Sequence, residues 1–289
     1  MDIYTLFKTC NDKDKLLEVL KQKPELNIQN YDGDTIAMYA FKYCKDKEIL
    51  LEVLKQKPDL NIQNDDGETV AIIAFEYRND KDVFLEILKQ KPDLNIQDKY
   101  GETAAFCAFK SCDDDDKDFL LELLKQKPNL NIQDISGVSV AMIAFDNCDD
   151  KEISLKLLEQ KPDLNIKNKY GYTIFNKVIN GYKCVDVVLE FLKQKPDLNF
   201  QDNYGDTIVM HVFRFYSRSE EILLELLKQK PDLTLKNKEN KTTLDIALEY
   251  YVKKPFFKFH ILEKLYNENC KQDKQLRNLD YFKIKNRYM

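Results

Sequence analysis

The 289-residue chain has two histidines, seven glycines and no run of about 18 apolar residues. Each scarcity excludes something. Without a long apolar run, no membrane span is expected. His211 and His260 lie in different parts of the chain, and neither has a patterned serine, cysteine or carboxylate beside it. A histidine-dependent catalytic centre therefore has no basis, and His211 is expected as a packed or groove-side imidazole. A glycine-rich phosphate loop and a Cys-x-x-Cys pair are both missing. The opening MDIYTLFKTCNDKDKLLEVL lacks a basic stretch ahead of an apolar core, so it does not read as a secretory signal. Charge of one sign is also short: the formal net charge is −5, which argues against general phosphate binding. What remains, 43% hydrophobic and 33% charged, is the balance of a soluble folded protein.

What the sequence has in abundance is repetition. KQKPDLNIQDKYGETAAF, residues 89–106, has six further close copies. The proline of Lys-Gln-Lys-Pro (Glu-Gln-Lys-Pro at 162) falls at 24, 58, 92, 128, 162, 196 and 231, with spacings of 34, 34, 36, 34, 34 and 35. Gly33, Gly67, Gly101, Gly137, Gly171 and Gly205 keep the same period, leaving Gly181 outside it. In the last unit Asn240 takes the glycine slot. Asparagine is the side chain that best tolerates positive φ, so the slot reads as a left-handed turn position.

Each unit resolves into two helices and a connector. Residues 35–41 carry small and apolar residues at helical spacing, with Thr35 placed to cap the start. A charged break follows, with Asp46 as N-cap, and a second helix is expected over 49–57, stopped by Pro58. Residues 59–69 read as an extended, hairpin-like turn. One such unit cannot cover its own apolar face, whereas stacked copies can. The expected fold is all-α with short β-hairpin-like turns, a solenoid of about eight stacked helix-pair units. These units run 1–24 (an N-terminal capping pair), 25–58, 59–92, 93–128, 129–162, 163–196, 197–231 and 232–270. Their last second-helix is expected over 256–266, with Pro255 at its start. A basic tail, 271–289, follows.

Cys10, Cys44, Cys112 and Cys148 occupy one repeat position, with Arg78 in between and Cys184 near it. Stacked helices lie roughly 8–10 Å apart, beyond the reach of about 7 Å between Cα atoms that a disulfide tolerates. Cross-linking at this position is therefore not expected, and reduced thiols in a cytoplasmic, intracellular protein are.

A period near 33, Asn-x-x-Asp/Asn-x-x-Gly-x-Thr opening a helix with alanine five residues on, and a following Leu-Leu helix resemble the ankyrin repeat. The likeness is strongest in LNIQNDDGETVAIIAF (60–75) and LTLKNKENKTTLDIALE (233–249), and extends over about residues 1 to 266. Departures are regular. The family's proline after threonine is Ile36, Val70, Ala104, Val140, Ile174 and Ile208; its histidine is Met38, Ile72, Phe106, Met142, Asn176 and Met210; its Gly-Ala after the second helix is Lys-Pro.

The resemblance implies that the residues flanking the turn glycine line a concave groove together with those seven and eight places after the threonine. In the second unit these are Tyr31, Asp32 and Asp34 with Tyr43, and in the third Asp65, Asp66 and Glu68 with Tyr77. The fourth supplies Lys99, Tyr100 and Glu102; the fifth Ile135, Ser136 and Val138; the sixth Lys169, Tyr170 and Tyr172. The seventh supplies Asn203, Tyr204 and Asp206 with Arg214 and Phe215, and the last adds Tyr250. The frame hardly changes while these slots vary, as expected of a recognition surface rich in tyrosine.

Other constellations are weaker. Asp113 to Asp116 lack the alternating ligands, glycine and distal glutamate of a calcium loop and read as a solvated loop. The lysines at 21/23, 55/57, 89/91, 125/127, 193/195 and 228/230 could follow a nucleic-acid backbone. However, a glutamate three residues before the first of each pair neutralises them on the same face. The expected function is a non-catalytic, monomeric scaffold that binds another protein, with no cofactor, metal, small-molecule substrate, nucleic acid or membrane partner. The alternative is an electrostatic binder of nucleic acid or an anionic surface through the lysine ladder and basic tail.

Overall fold

The first amides of a helix have no partner within it, so a side-chain acceptor is wanted just before each start. The computed structural model describes residues 3–9, 12–77, 80–113, 116–180, 184–216, 219–253 and 259–272. Cys10, Arg78, Gly181, Pro255 and the tail from 273 onward lie outside the described residues, as do the side chains of Tyr250 and His260. Thr35 Oγ1 accepts from the Met38 amide at 3.1 Å, while the Thr35 amide donates to Met38 Sδ at 3.3 Å. Ser139 with Met142 and Thr207 with Met210 repeat this reciprocal cap. Methionine here holds the place that glutamate or glutamine takes in a capping box. At Thr173 that place goes to Asn176, and at Thr242 to Asp245, each accepting from the threonine amide at 2.8 Å.

The helices so begun are α3 (Ile36–Tyr43), α5 (Val70–Tyr77), α7 (Ala104–Lys110), α9 (Val140–Asn147), α11 (Ile174–Asn180), α13 (Ile208–Phe215) and α15 (Thr243–Lys253), preceded by α1 (Ile3–Thr9). Their partners are α2 (Lys13–Lys21), α4 (Lys47–Lys55), α6 (Lys81–Lys89), α8 (Lys117–Lys125), α10 (Lys151–Glu159), α12 (Val185–Lys193), α14 (Glu220–Lys228) and α16 (Phe259–Gln272). Asp46 caps α4, accepting from the Glu48 and Ile49 amides, and Asp80 and Asp150 do the same for α6 and α10. The second helix thus starts two residues earlier than the apolar pattern indicated. It also ends two residues earlier, at Lys55. The last helix extends beyond 266 to Gln272, so Lys271 and Gln272 are helical and not part of a tail.

The early stop has a backbone cause. Lys57 stands at φ 53°, and Lys23, Lys91, Lys127, Lys161, Lys195 and Lys230 match it at 52° to 57°. This is the left-handed ending usually given to glycine. Lys57 N–H donates to Leu54 O at 2.9 Å, but Pro58 has no amide for the second bond of such an ending. Each unit therefore carries a lysine in a conformation costing about 1 kcal/mol or more. Lys91→Gly is expected to raise the unfolding free energy by about 0.5 kcal/mol, the relief less glycine's extra chain entropy. A lower denaturation midpoint would contradict this.

The glutamine of Lys-Gln-Lys-Pro joins one unit to the one before. Gln56 Nε2 donates to Leu20 O at 2.9 Å, Gln90 to Leu54 O at 2.8 Å, Gln126 to Leu88 O at 2.7 Å and Gln160 to Leu124 O at 2.9 Å. Those carbonyls end the preceding helix, and each already accepts the N–H of its left-handed lysine, so the glutamine fills the second lone pair. Asparagine of Leu-Asn-Ile makes a second link: Asn27 Oδ1 accepts from the Asp59 amide and Asn61 Oδ1 from the Asp93 amide. The frame is constant because most of its polar residues bridge neighbours.

Two bodies result, divided at Pro162. In residues 1–162, α1, α3, α5, α7 and α9 pack successively in one layer and α2, α4, α6, α8 and α10 in the other. In 163–289, α11, α13 and α15 face α12, α14 and α16 in the same way. Between the layers of the first body lie Phe41, Phe75, Phe109 and Phe145, all fully buried. Phe75, Phe84 and Phe119 meet at 4.9–5.3 Å, so adjacent units share one aromatic cluster. Among the described residues the hairpins hold single antiparallel bridges, such as Gln29 with Thr35, and no sheet.

Candidate functional site

The hairpins present the variable residues, and their shape follows from one side chain. Asn30 Oδ1 accepts from the Asp32 and Asp34 amides at 3.0 and 2.9 Å, and Gly33 N–H donates back to Asn30 O at 3.1 Å. Asn64, Asp98 and Asp134 build the same turn. Backbone bonds then join tip to tip: Asp65 N–H to Asp32 O, Lys99 N–H to Asp66 O and Ile135 N–H to Tyr100 O, at 2.7–3.1 Å. Gln29 and Gln63 reinforce this row, each donating to its own turn-glycine carbonyl and to the next unit's glutamine carbonyl. A row joined in this way is rigid without any help from the tip side chains, which leaves those free to vary.

In the first body Tyr31, Asp32, Tyr43, Asp65, Asp66, Tyr77, Lys99, Tyr100 and Ile135 are exposed. Tyr31 is fully exposed and Tyr77 59% exposed. Tyr43 packs at a tilt against Tyr39 at 4.9 Å, beneath the ammonium of Lys8 at 5.6 Å. Lys99 pairs with Asp66 at 2.9 Å and lies over the Tyr100 ring. In the second body Lys169, Tyr170, Tyr204 and Phe215 are exposed, whereas Tyr172 is half-buried.

The slot after the glycine behaves differently from the two before it. Asp34 and Asp206 are buried, and Glu68, Glu102 and Arg214 are half-buried. The acid turns inward and meets a base in the last turn of its own first helix: Asp34 with Lys42 at 2.9 Å, Glu102 with Lys110 at 2.8 Å and Asp206 with Arg214 at 2.6 Å. Lys241 with Glu249, at 2.9 Å, is the same pair with signs reversed. Two slots that read as independent contacts are thus coupled eight residues apart. Opposite charges at those two positions in four of the units were the available sequence signal.

The fifth and sixth units have no such pair, with Val138 and Asp146 or Tyr172 and Asn180 in the two slots, and the third places two acids there. Glu68 faces Glu76 as its counterpart on α5, and its base is borrowed from the preceding unit, Lys42 at 3.0 Å. Glu76, which sequence reasoning did not single out, is half-buried near Lys110, Glu102 and Glu68. Burial raises its pKa; Lys110 draws it down, and Glu102 and Glu68 push it up again. A carboxyl that binds its proton more tightly when folded makes stability fall as pH rises from its ordinary range through the raised one. Among the described residues, the row from Asp32 to Lys110 gathers Asp32, Asp34, Asp65, Asp66, Glu68, Glu76 and Glu102 against Lys42, Lys99, Lys110 and the neighbouring Lys8, an acidic strip set with tyrosines.

Other candidates resolve as framework. His211 accepts or donates one bond, to Asp202 at 2.9 Å, and stacks on Phe215, while Asp202 is occupied by the Tyr204 and Asp206 amides. Asp116 begins α8 without a side-chain cap, and the Asp113 amide donates to its carboxylate; Asp114 and Asp115 lie outside the described residues. Among the described residues no three His, Cys, Asp or Glu side chains converge to hold a metal. No described helix is long and apolar enough to cross a membrane. In the lysine ladder, Lys55, Lys89, Lys125, Lys193 and Lys228 each pair with the glutamate three residues earlier at 2.7–3.2 Å.

The cysteine slot departs from expectation. Cys112 Sγ and Cys148 Sγ stand 3.1 Å apart, so neighbouring units do bring thiols together. The spacing of helix axes does not govern these residues, because both lie past the ends of α7 and α9, where side chains lean towards each other.

Residues 37–134 match the family model of ankyrin repeats, in three copies. No curated protein matches the chain. Among solved structures, the ankyrin repeat domain of Bcl-3, a member of the IkappaB protein family, is similar with a TM-score of 0.52 and 18% identity, covering 79% of this chain and 98% of that one. EF0377, an ankyrin repeat protein, gives a TM-score of 0.49 at 20% identity, covering 62% of this chain and 90% of that one. Residues 37–134 are therefore ankyrin repeats, and the turn, cap and glutamine frame they carry recurs in the other described units.

Proposed function

We propose that this chain is a non-catalytic scaffold whose first body captures a basic, extended segment of another protein along the strip from Tyr31 to Lys110. Ankyrin repeats are general protein–protein interaction modules, and the finer reading rests on one observation. Exposed tyrosines alternate with a surplus of carboxylates on a row whose backbone is already satisfied by itself. Tyrosine gives large contact area at low entropic cost, and the acids beneath would steer and orient a lysine- or arginine-bearing partner. Tyr170, Tyr204 and Phe215 form a second, separate candidate patch in the other body. Use of the lysine ladder for nucleic acid is disfavoured, since its first lysines are paired with glutamate and its second ones form helix endings. A monomer in the cytoplasm belongs to the same proposal, supported by the thiols and by the lack of a membrane-crossing helix among the described residues.

A displayed random-peptide library provides the test. Enriched peptides are expected to carry clustered Lys or Arg beside an aromatic or aliphatic anchor, and to bind several-fold less tightly as salt rises. Glu76→Gln should weaken those peptides while leaving the protein equally stable or slightly more so at neutral pH, a combination that a purely structural glutamate would not give. Enrichment of acidic peptides, or of none, would defeat the proposal. Tight binding of random single-stranded DNA at low salt, lost steeply with added salt, would favour the nucleic-acid alternative.

A further inference from the structure

We propose that Cys112 and Cys148 form a redox modification site, an inter-unit dithiol that a hydroperoxide converts to a disulfide. The observation is geometric. Cys148 is the C-cap of α9 and is buried, Cys112 follows the C-cap of α7 and is half-exposed, and their sulfurs are 3.1 Å apart. A disulfide closes at about 2.05 Å, so a shift of roughly 1 Å in two side chains beyond helix ends suffices. No packed helix has to move. Surrounding bonds fix the relative placement of the two segments: Asn147 Nδ2 donates to Phe109 O and Lys110 O at 3.1 and 3.0 Å, and Ser111 Oγ donates to Phe75 O at 2.6 Å.

The two thiols are not equivalent, and the asymmetry assigns roles. Cys112 is the accessible one, and its neighbour's hydrogen bond draws its pKa below the ordinary thiol value, against opposing effects of burial and of Asp116 and Asp113. It is therefore the attacking thiolate. Cys112 Sγ attacks one oxygen of the hydroperoxide; the S–O bond forms, the O–O bond breaks, and the departing alkoxide takes a proton to leave as alcohol. Cys148 Sγ then attacks the Cys112 sulfenic sulfur; the S–S bond forms, the S–O bond breaks, and hydroxide leaves with the Cys148 proton as water. Two thiols and one hydroperoxide give one disulfide, one alcohol and one water. Cys107, by contrast, is buried with its pKa driven far up, chiefly by burial and then by Glu102, which leaves it inert.

The disulfide would staple the 93–128 unit to the 129–162 unit. Repeat arrays owe much of their stability to neighbour contacts, so one staple should stiffen this part of the row. The inference stands independently of what the row binds. It is also compatible with a reducing compartment, where such disulfides are transient sensors.

The test uses the full chain treated with hydrogen peroxide, followed by peptide mapping without reductant. A cross-linked peptide joining Cys112 to Cys148 is expected, together with loss of two thiols per chain. Thermal unfolding should rise by about 5 °C and return to its starting value on reduction. In Cys148→Ser, which lacks the resolving thiol, a sulfenic-acid trap should label Cys112. Oxidation that instead reaches exposed Cys184 or links separate chains, with Cys112 and Cys148 still free, would overturn the proposal. Mapping of the unsubstituted chain decides this even if the serine variant fails to fold.

Discussion

Gly67→Ala is expected to destabilise the first body by about 3 kcal/mol. Two costs combine. The residue stands at φ 78°, where alanine is disfavoured against glycine by about 1 kcal/mol. In addition, a methyl group there would lie 2.9 Å from the Asp98 Cα of the next hairpin, and relieving that clash moves backbone at a cost of about 1–3 kcal/mol. The control is Asn240, which holds the same slot at φ 60°. No further hairpin follows it among the described residues, so Asn240→Gly should change stability by only a few tenths of a kcal/mol. Denaturant unfolding of both variants checks this. A small effect at Gly67 would mean that the hairpins are not held edge to edge.

Tyr77→Ala combined with Tyr100→Ala should weaken binding of the selected basic peptides by at least about 2 kcal/mol, roughly thirty-fold, while leaving the fold intact. Both rings are more than half exposed. Neither side chain belongs to the cap, clamp or core set, so truncating them removes contact area together with the Tyr77–Glu76 hydrogen bond and the Lys99 contact of Tyr100. Titration of the double variant with a fluorescent selected peptide, beside its thermal midpoint, separates the two effects. Unchanged affinity would remove the tyrosines from the binding surface. A large fall in midpoint would show them to be packing residues.

Much of the fold was legible because the repeat prints the same physics many times. The 34–36-residue period, the threonine or serine that opens the first helix of a unit and the left-handed glycine, with Asn240 in its place, each describe a local event. Local events are set by a few neighbouring residues. The second helix was read two residues late because the apolar pattern begins at Ile49, whereas the cap at Asp46 starts the helix at Lys47. It was expected to run to Lys57 and stop at Pro58, although Lys57 is already left-handed and the helix ends at Lys55.

The candidate site was legible only as a set of slots. Asp34 and Asp206 looked like exposed tips and are buried partners of Lys42 and Arg214; Glu76 had no mark in its own unit, and its character comes from Lys110 and Glu102 one unit away. Likewise the approach of Cys112 to Cys148 depends on how two chain segments leave their helices.

By itself the sequence determined the unit, its helices, its turn and the need of each copy for a neighbour, because short-range hydrogen bonding and apolar periodicity are written residue by residue. Only the tertiary structure decided which charges cancel, which tyrosines stay bare and which thiols meet. Those outcomes depend on distances between residues 8 to 36 positions apart, and such distances exist only once hairpin has folded onto helix and unit onto unit.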